Sequence, residues 1–297
     1  MRRFIKHIFL VGLPIILVAI TLEIVAEAIP NSYTYKRQYM EQHSAEIHTL
    51  VLGSSNAYDG INPSVLPHAF NLANSSQTLE DDYRLLAKYM DSIDSLKTVI
   101  VGLGYHSLGA VTEDNRRTYY TIYMDLYPRW PISKYSFEVF NLELLTKKII
   151  KYAVSRDVTR CDSLGQRVGH TAEAVKERKE FWNKDVAALA ANDEWKEESG
   201  ESRVERNVEF LHAIIRLCDS HGVRPVIVTM PVMKEYKEAL PMEQITLHDS
   251  VMHVLLSSAI YIDASDWAIP EDGWYNATHL TKETSVEFTE RLMGKIE

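Results

Sequence analysis

Two short segments of this chain carry the residue types that acyl-transfer chemistry needs. Leu50 to Pro63 reads LVLGSSNAYDGINP, an apolar run of β type that ends in a tight Gly53-Ser54-Ser55 turn and presents a hydroxyl. Near the other end of the chain, Asn276-Ala277-Thr278-His279 places a histidine just ahead of a helical pattern. A serine becomes a nucleophile when a neighbouring base takes its proton, and histidine is suited to that exchange at neutral pH. Ser55 and His279 are therefore candidates for the nucleophile and base of one site, provided the fold brings them together. Each also has a plainer reading. Gly-Ser-Ser is a common strand-to-helix turn whose hydroxyl caps the helix, and a lone histidine is often a packing residue.

Bringing two segments so distant in sequence together requires a scaffold that returns both to one edge. After a polar connector around Ser32 to Ala45, apolar runs alternate with amphipathic helical stretches, the pattern of an α/β domain. The strand candidates are His48 to Leu52, Ala69 to Ala73, Thr98 to Leu103, Arg224 to Thr229 and Ala259 to Asp263. Such short runs, several of them rich in valine and isoleucine, suit a mostly parallel five-stranded sheet covered on both faces. A helix is expected over Thr78 to Ile93, opened by the capping box Thr78-Leu-Glu-Asp81, and another over about Lys282 to Ile296 with Thr281 as its N-cap. Polar residues at 54–55, 74–76, 105–106, 230–231 and 276–279 all follow or lie just beyond a strand candidate. That places them at the edge where open α/β sheets bind ligands.

Between Tyr105 and Gly200 the alternation breaks, and a helical insertion over about 105–200 is expected there, since structureless loops of that length are rare. Its first half is dense in tyrosine, as in YYTIYMDLYPRW. Its second half, from His170 to Glu201, is charged and alanine-rich.

Of the 297 residues 46% are hydrophobic, which indicates a globular protein. Its N-terminus begins Met-Arg2-Arg3-Phe-Ile-Lys6, runs uncharged from Ile8 to Leu22 and continues through Glu23 and Glu27 to Pro30. The uncharged stretch fits the core of a signal peptide, with Ala26-Glu-Ala28 as a cleavage site. Ile8 to Ile29 is also long enough, at about 1.5 Å per residue, to cross a hydrocarbon core of about 30 Å. The reading adopted is an uncleaved membrane anchor over residues 1–30 and an exported domain over 31–297, the three basic residues remaining cytoplasmic. Taking those three charges away from a net −9 leaves −12, a poor match for nucleic acid. With two cysteines, Cys161 and Cys218, this is no disulfide-framework protein, and Cys218 extends the apolar helical stripe Val204, Val208, Leu211, Ile215.

The pieces GSSNAYDGINP, FNLANSSQ, VIVTMP and WYNATHL together resemble the SGNH/GDSL hydrolase superfamily. Within it they look like the membrane-anchored proteins related to those of lipoteichoic acid D-alanylation and alginate O-acetylation. The resemblance covers about Ile47 to Glu297 in layout and is specific around Ser55 and His279. It implies a three-layer α/β/α, flavodoxin-like fold, with Ser55 as nucleophile and His279 as its base. The backbone N–H groups of Ser55 and Ser76 would contribute to an oxyanion hole. Gly104-Tyr105-His106-Ser107 stands where the hydrolases show Gly-x-Asn-Asp, so His106 or Tyr105 would replace the asparagine donor.

The largest departure is Asn276, which occupies the usual position of the triad aspartate. An asparagine can accept a hydrogen bond from the histidine, but it cannot stabilise an imidazolium by charge. Three explanations stay open: a Ser-His-Asn triad of reduced basicity, a replacement acid from Asp272 or Asp266, or a site that has lost catalysis. Asn56, Asn74 and Trp274 are candidate substrate contacts. Trp274, Trp130 and the insertion's tyrosines could stack on sugar rings, against the plainer reading of a buried aromatic cluster. Arg116-Arg117 could attract an anionic polymer, although paired arginines are commonly a solvated face. His43 and His48 lack partners at metal-ligand spacing, so neither metal nor cofactor is expected.

By this resemblance the chain would carry out ester chemistry on a cell-envelope polysaccharide or polymer, as acyl transfer or as acyl-ester hydrolysis with water as acceptor. A membrane-bound O-acyltransferase would be the partner that supplies the acyl group. The contrasting expectation is a catalytically impaired glycan-binding or scaffold protein of an envelope O-acylation complex.

Overall fold

The apolar runs form five strands in a computed structural model that describes residues 2–156, 159–176, 186, 190, 203–255 and 258–296. They are β1 (Thr49–Gly53), β2 (Ala69–Asn71), β3 (Thr98–Leu103), β4 (Arg224–Thr229) and β5 (Ile260–Asp263). All neighbours run parallel in the order β2-β1-β3-β4-β5, with Val51 beside Ile100, Ile100 beside Val226 and Val228 beside Ile262. Residues of β1, β3 and β4 are buried almost throughout, as a sheet covered on both faces requires.

The described helices are α1 (Arg2–Ala28), α2 (Ser32–His43), α3 (Ser55–Gly60), α4 (Leu79–Tyr89), α5 (Asp114–Ile122), α6 (Leu142–Ser155), α7 (Ala172–Lys176), α8 (Arg203–Ser220), α9 (Lys234–Ala239), α10 (Met242–Leu255) and α11 (Lys282–Ile296). A short antiparallel hairpin, β6 (Trp274–Asn276) and β7 (His279–Leu280), precedes α11. Pairs α3 with α11 and α4 with α8 pack together, and the whole is the expected three-layer α/β/α arrangement. The capping box of Thr78 and Asp81 opens α4, whose last turn tightens into a 3₁₀ segment at Met90–Ser92 rather than continuing to Ile93. Thr281 Oγ1 accepts from the N–H of Thr284 at the start of α11. Cys218 is fully buried on the inner face of α8.

The chain divides into two compact units, residues 1–38 with 113–159, and residues 39–112 with 160–297. The long segment without strands is therefore shared. Residues 113–159 of it join α1, and the rest belongs to the sheet-bearing unit. There, residues 160–168 lie along β2, where the N–H of Asn71 donates to the carbonyl of Leu164. This approach needs Gly165, which has φ +84° and whose Cβ, if present, would fall 2.2 Å from the carbonyl oxygen of Asn71. Of the charged stretch 170–201, α7 covers Ala172–Lys176; residues 177–185, 187–189 and 191–201 lie outside the described residues.

Candidate active site

The Gly-Ser-Ser turn is fastened from behind. Gly53 has φ +126°, and a Cβ there would lie 2.3 Å from the carbonyl oxygen of Gly102, so the turn requires glycine. Its N–H donates to Asp82 Oδ1 at 2.9 Å, and Gln77 Nε2 donates to the same oxygen at 2.6 Å. Burial pushes the Asp82 carboxyl up to about 7, against the opposing effect of these two bonds.

Ser54 is the N-cap residue of α3, but its hydroxyl does not cap the helix. It donates to Asn56 Oδ1 at 3.1 Å and lies 3.4 Å from His106 Nε2. From Thr49 to Pro63 every residue is buried except Ser55, which is half-buried at the first position of α3. The segment thus brings one hydroxyl to the surface.

His279 is presented by the β6–β7 hairpin, and its tautomer follows from its neighbours. Asn276 Oδ1 accepts from the backbone N–H of Thr278 at 3.0 Å, a group that can only donate. The oxygen therefore also accepts from His279 Nδ1, 2.8 Å away, which leaves Nε2 with a free lone pair. Thr278 Oγ1 lies 2.9 Å from the same Nδ1. Asn56 Nδ2 donates to the carbonyl of Thr278 at 2.8 Å, tying the hairpin to α3. Burial holds the imidazole down to about 4, so it is neutral at pH 7; the Asp59 carboxylate opposes that shift, and Arg167 and His170 add to it.

His279 Nε2 points at α3, where Asp59 Oδ2 lies 3.7 Å away. Asp59 is one helical turn after Ser55, and residues four apart share a helix face. A neutral imidazole with an available lone pair thus stands against Asp59, one turn along the helix that begins with the partly exposed serine; no hydrogen bond joins Ser55 to His279. Hydroxyl, base and orienting amide are the parts needed to deprotonate an alcohol during attack on an ester carbonyl.

Sequence reasoning missed the ion cluster around Asp59. This buried carboxylate pairs with Arg167 Nε at 3.1 Å and with His170 Nδ1 at 3.1 Å. Arg167 also donates to Ser75 Oγ and lies over the Tyr58 ring, while His170 stacks flat on Tyr275 at 3.5 Å between centroids. The spacing from Ser55 to Asp59 was the available signal, since it puts a carboxylate one turn below the hydroxyl. Arg167 and His170 gave none, because Gly165 and the strand-edge contact bring them in from a segment without strands.

The remaining candidates are distributed unevenly. Ser76 is partly exposed after β2 with φ +54°. Asn74 is buried, with its N–H on the carbonyl of Gly53 and its side-chain oxygen on the N–H of Ser75. The His106 ring crowds Gly104, where a Cβ would lie 2.7 Å from its Nδ1 and Cε1. Asn56 is buried and both ends of its amide are engaged within the protein, so it presents little surface to a substrate. Tyr105 is packed in an apolar cluster with Val232, Tyr236 and Leu240, and burial raises its phenol despite hydrogen bonds with Ser265 and Lys237. Trp274 is likewise buried. Asp272 is exposed in a 3₁₀ turn and Asp266 pairs with Lys237 at 2.7 Å; the ring nitrogens of His279 face Asn276, Thr278 and Asp59 instead. Among the described residues no group of three or more His, Cys, Asp or Glu side chains is arranged to hold a metal ion.

No protein-family model and no curated protein matches this chain. Solved structures do. A protein from Bacteroides fragilis NCTC 9343, assigned by inference as an acylhydrolase, aligns over 87% of this chain and 93% of its own, with a TM-score of 0.43 and 8% identity. A protein from Streptococcus pneumoniae, assigned by inference as a platelet activating factor, aligns over 97% and 99%, with a TM-score of 0.41 and 10% identity. A GDSL-like lipase from Bacteroides thetaiotaomicron VPI-5482 aligns over 89% of this chain and 97% of its own, with a TM-score of 0.44 and 9% identity.

Proposed function

We propose that this chain is a membrane-anchored, serine-dependent esterase or O-acyltransferase of the SGNH type that acts on acyl esters of a cell-envelope polysaccharide or polymer. The observation that carries this reading is the meeting of His279 Nε2 with the α3 face on which Ser55 is the one residue not buried. Ser55 Oγ attacks the acyl carbonyl as His279 Nε2 takes its proton. The tetrahedral intermediate collapses as the imidazolium returns that proton to the leaving oxygen, giving an acyl-serine and a free alcohol. A second hydroxyl, from water or from the polymer, then repeats the sequence and releases the acyl group. Backbone N–H groups of Ser55 and Ser76 and the ring of His106 are the candidate oxyanion donors.

The envelope substrate and a membrane-bound O-acyltransferase as acyl supplier follow from the sequence resemblance. The 19-residue segment Leu10–Ala28, with mean hydropathy 2.2, supports the anchor. A second reading, a catalytically impaired glycan-binding or scaffold protein, is favoured by Asn276 in place of a carboxylate.

Labelling with a serine-reactive fluorophosphonate separates the two. Wild type and Ser54→Ala should each take one adduct by intact mass, and Ser55→Ala and His279→Ala none. Ser54→Ala loses the buried hydrogen bond to Asn56 Oδ1 and the contact with His106 Nε2, at a cost of about 1–3 kcal/mol. Absence of an adduct on folded wild type would support the binding reading.

A further inference from the structure

The first compact unit carries an apolar surface that the ester chemistry does not use. Trp130, Ile132, Phe140, Leu142, Ile150 and Val154 are all exposed, Trp130 at 75% and Val154 at 81%. Soluble surfaces rarely gather so many large apolar side chains in one short segment. In α6 the exposed Leu142, Ile150 and Val154 share with Thr146 a row of spacing four, with Lys147 and Lys151 alongside, a pattern compatible with a helix that lies flat in a membrane interface.

What adjoins this surface is the end of α1. Glu23 accepts from the N–H groups of Glu138 and Val139, each at 3.0 Å. Glu27 pairs with Arg129 at 2.9 Å, and the buried Lys148 donates to the carbonyl of Ala26 at 2.7 Å. These bonds satisfy the two acidic residues of the otherwise apolar span Leu10–Ala28, whose side chains from Leu10 to Val25 are largely exposed. Residues 129–148 are thereby held at the outer end of the apolar span, at the depth where tryptophan and amphipathic helices favour the boundary between headgroups and acyl chains.

We propose that residues 129–155 form an interfacial surface that seats in the outer leaflet of the lipid bilayer beside the exit of α1. This rests on the reading of α1 as a membrane anchor. The occupant is lipid rather than another protein because the surface is hydrogen-bonded to the end of the exposed apolar span of α1 and combines an exposed tryptophan with a lysine-flanked row of apolar side chains.

The test uses the full chain reconstituted into phosphatidylcholine–phosphatidylglycerol vesicles, with and without brominated phosphatidylcholine, in wild type and Trp130→Tyr. None of the five tryptophans lies in α1, so the anchor itself contributes no signal. Bromolipid should quench a blue-shifted component of wild-type emission that Trp130→Tyr lacks. Vesicle-bound protein resistant to alkaline carbonate, yet showing no such component, would overturn the interfacial surface while leaving the anchor standing; a surface reserved for a membrane-protein partner gives this result. Release by carbonate would remove the anchor reading and the proposal with it.

Discussion

His279 Nε2 lies 3.7 Å from Asp59 Oδ2, while Nδ1 is held by the neutral amide oxygen of Asn276 at 2.8 Å. In a serine-protease triad the carboxylate stands on the Nδ1 side, and the other nitrogen is left to the serine. Here the negative charge stands on the Nε2 side. Asp59 therefore favours the protonated imidazole of His279, and Arg167 tempers that effect by pairing with Asp59.

Substituting either member of this pair should move His279 in opposite directions. Asp59→Asn removes an anion and lowers the histidine's pKa further, whereas Arg167→Met removes a cation and raises it. The acid limb of the pH–rate profile shifts down in the first variant and up in the second. Turnover of an activated ester should fall roughly tenfold in Asp59→Asn, the rate equivalent of about 1.4 kcal/mol. Because Asp59→Asn leaves Arg167 largely buried without its counter-charge, it should also cost about 3 kcal/mol in a denaturant titration. Parallel shifts of both acid limbs would show that the pair acts only through the fold.

The layout was legible because its determinants are local. Four of the five strands follow runs with β-branched residues, the short β2 (Ala-Phe-Asn) being the exception, and Thr78-Leu-Glu-Asp81 announced the start of α4 from four residues. The turn that leaves Ser55 half-buried and the contact of Asn276 with His279 were legible from spacing, since a turn after the first strand and a three-residue interval before the last helix need no knowledge of packing. Asp272 drew attention only by proximity in sequence, and it lies exposed in a 3₁₀ turn while the ring nitrogens of His279 face Asn276, Thr278 and Asp59. Tyr105 and Trp274 could not be sorted into core or site, because an amphipathic aromatic suits either and burial is set by distant elements such as Tyr236 and Leu240. Arg167 and His170 depend on a contact between residues nearly a hundred positions apart, which no local pattern encodes.

Burial at His279 sets both an activity limit and a stability limit. Its neutral form, the base, persists down to about pH 4, so the rate should stay level from pH 8 to about pH 5 and then fall. Unfolded, the imidazole takes up a proton near its ordinary pKa of about 6.5. The folded state does so only near 4, so stability is lost as pH falls from 6.5 to 4, by at most about 3 kcal/mol. His248 is also held down to about 4 by burial and contributes with the same sign. Thermal unfolding of wild type and His279→Gln across this window isolates the contribution of His279; the gap between them should narrow as the pH drops.

Asn276→Asp restores a carboxylate where Asn276 stands. One oxygen of the new side chain can accept the same two N–H groups, from Thr278 at 3.0 Å and His279 at 2.8 Å, so the hairpin geometry is retained. The added negative charge raises the pKa of His279, and the acid limb of kcat/KM should move up from about 4 toward the ordinary histidine value. If the neutral amide is what limits basicity, turnover of an activated acetate ester at pH 8 should rise about tenfold or more, because the imidazolium formed during attack gains a direct counter-charge. If Asp59 already supplies that charge from the Nε2 side, the acid limb still moves but turnover does not rise, and Asp59→Asn in the Asn276→Asp background then loses less activity than it does in wild type. Measuring kcat/KM against pH for the two single variants and the double variant decides between these, since two carboxylates that act on the same imidazolium must be non-additive.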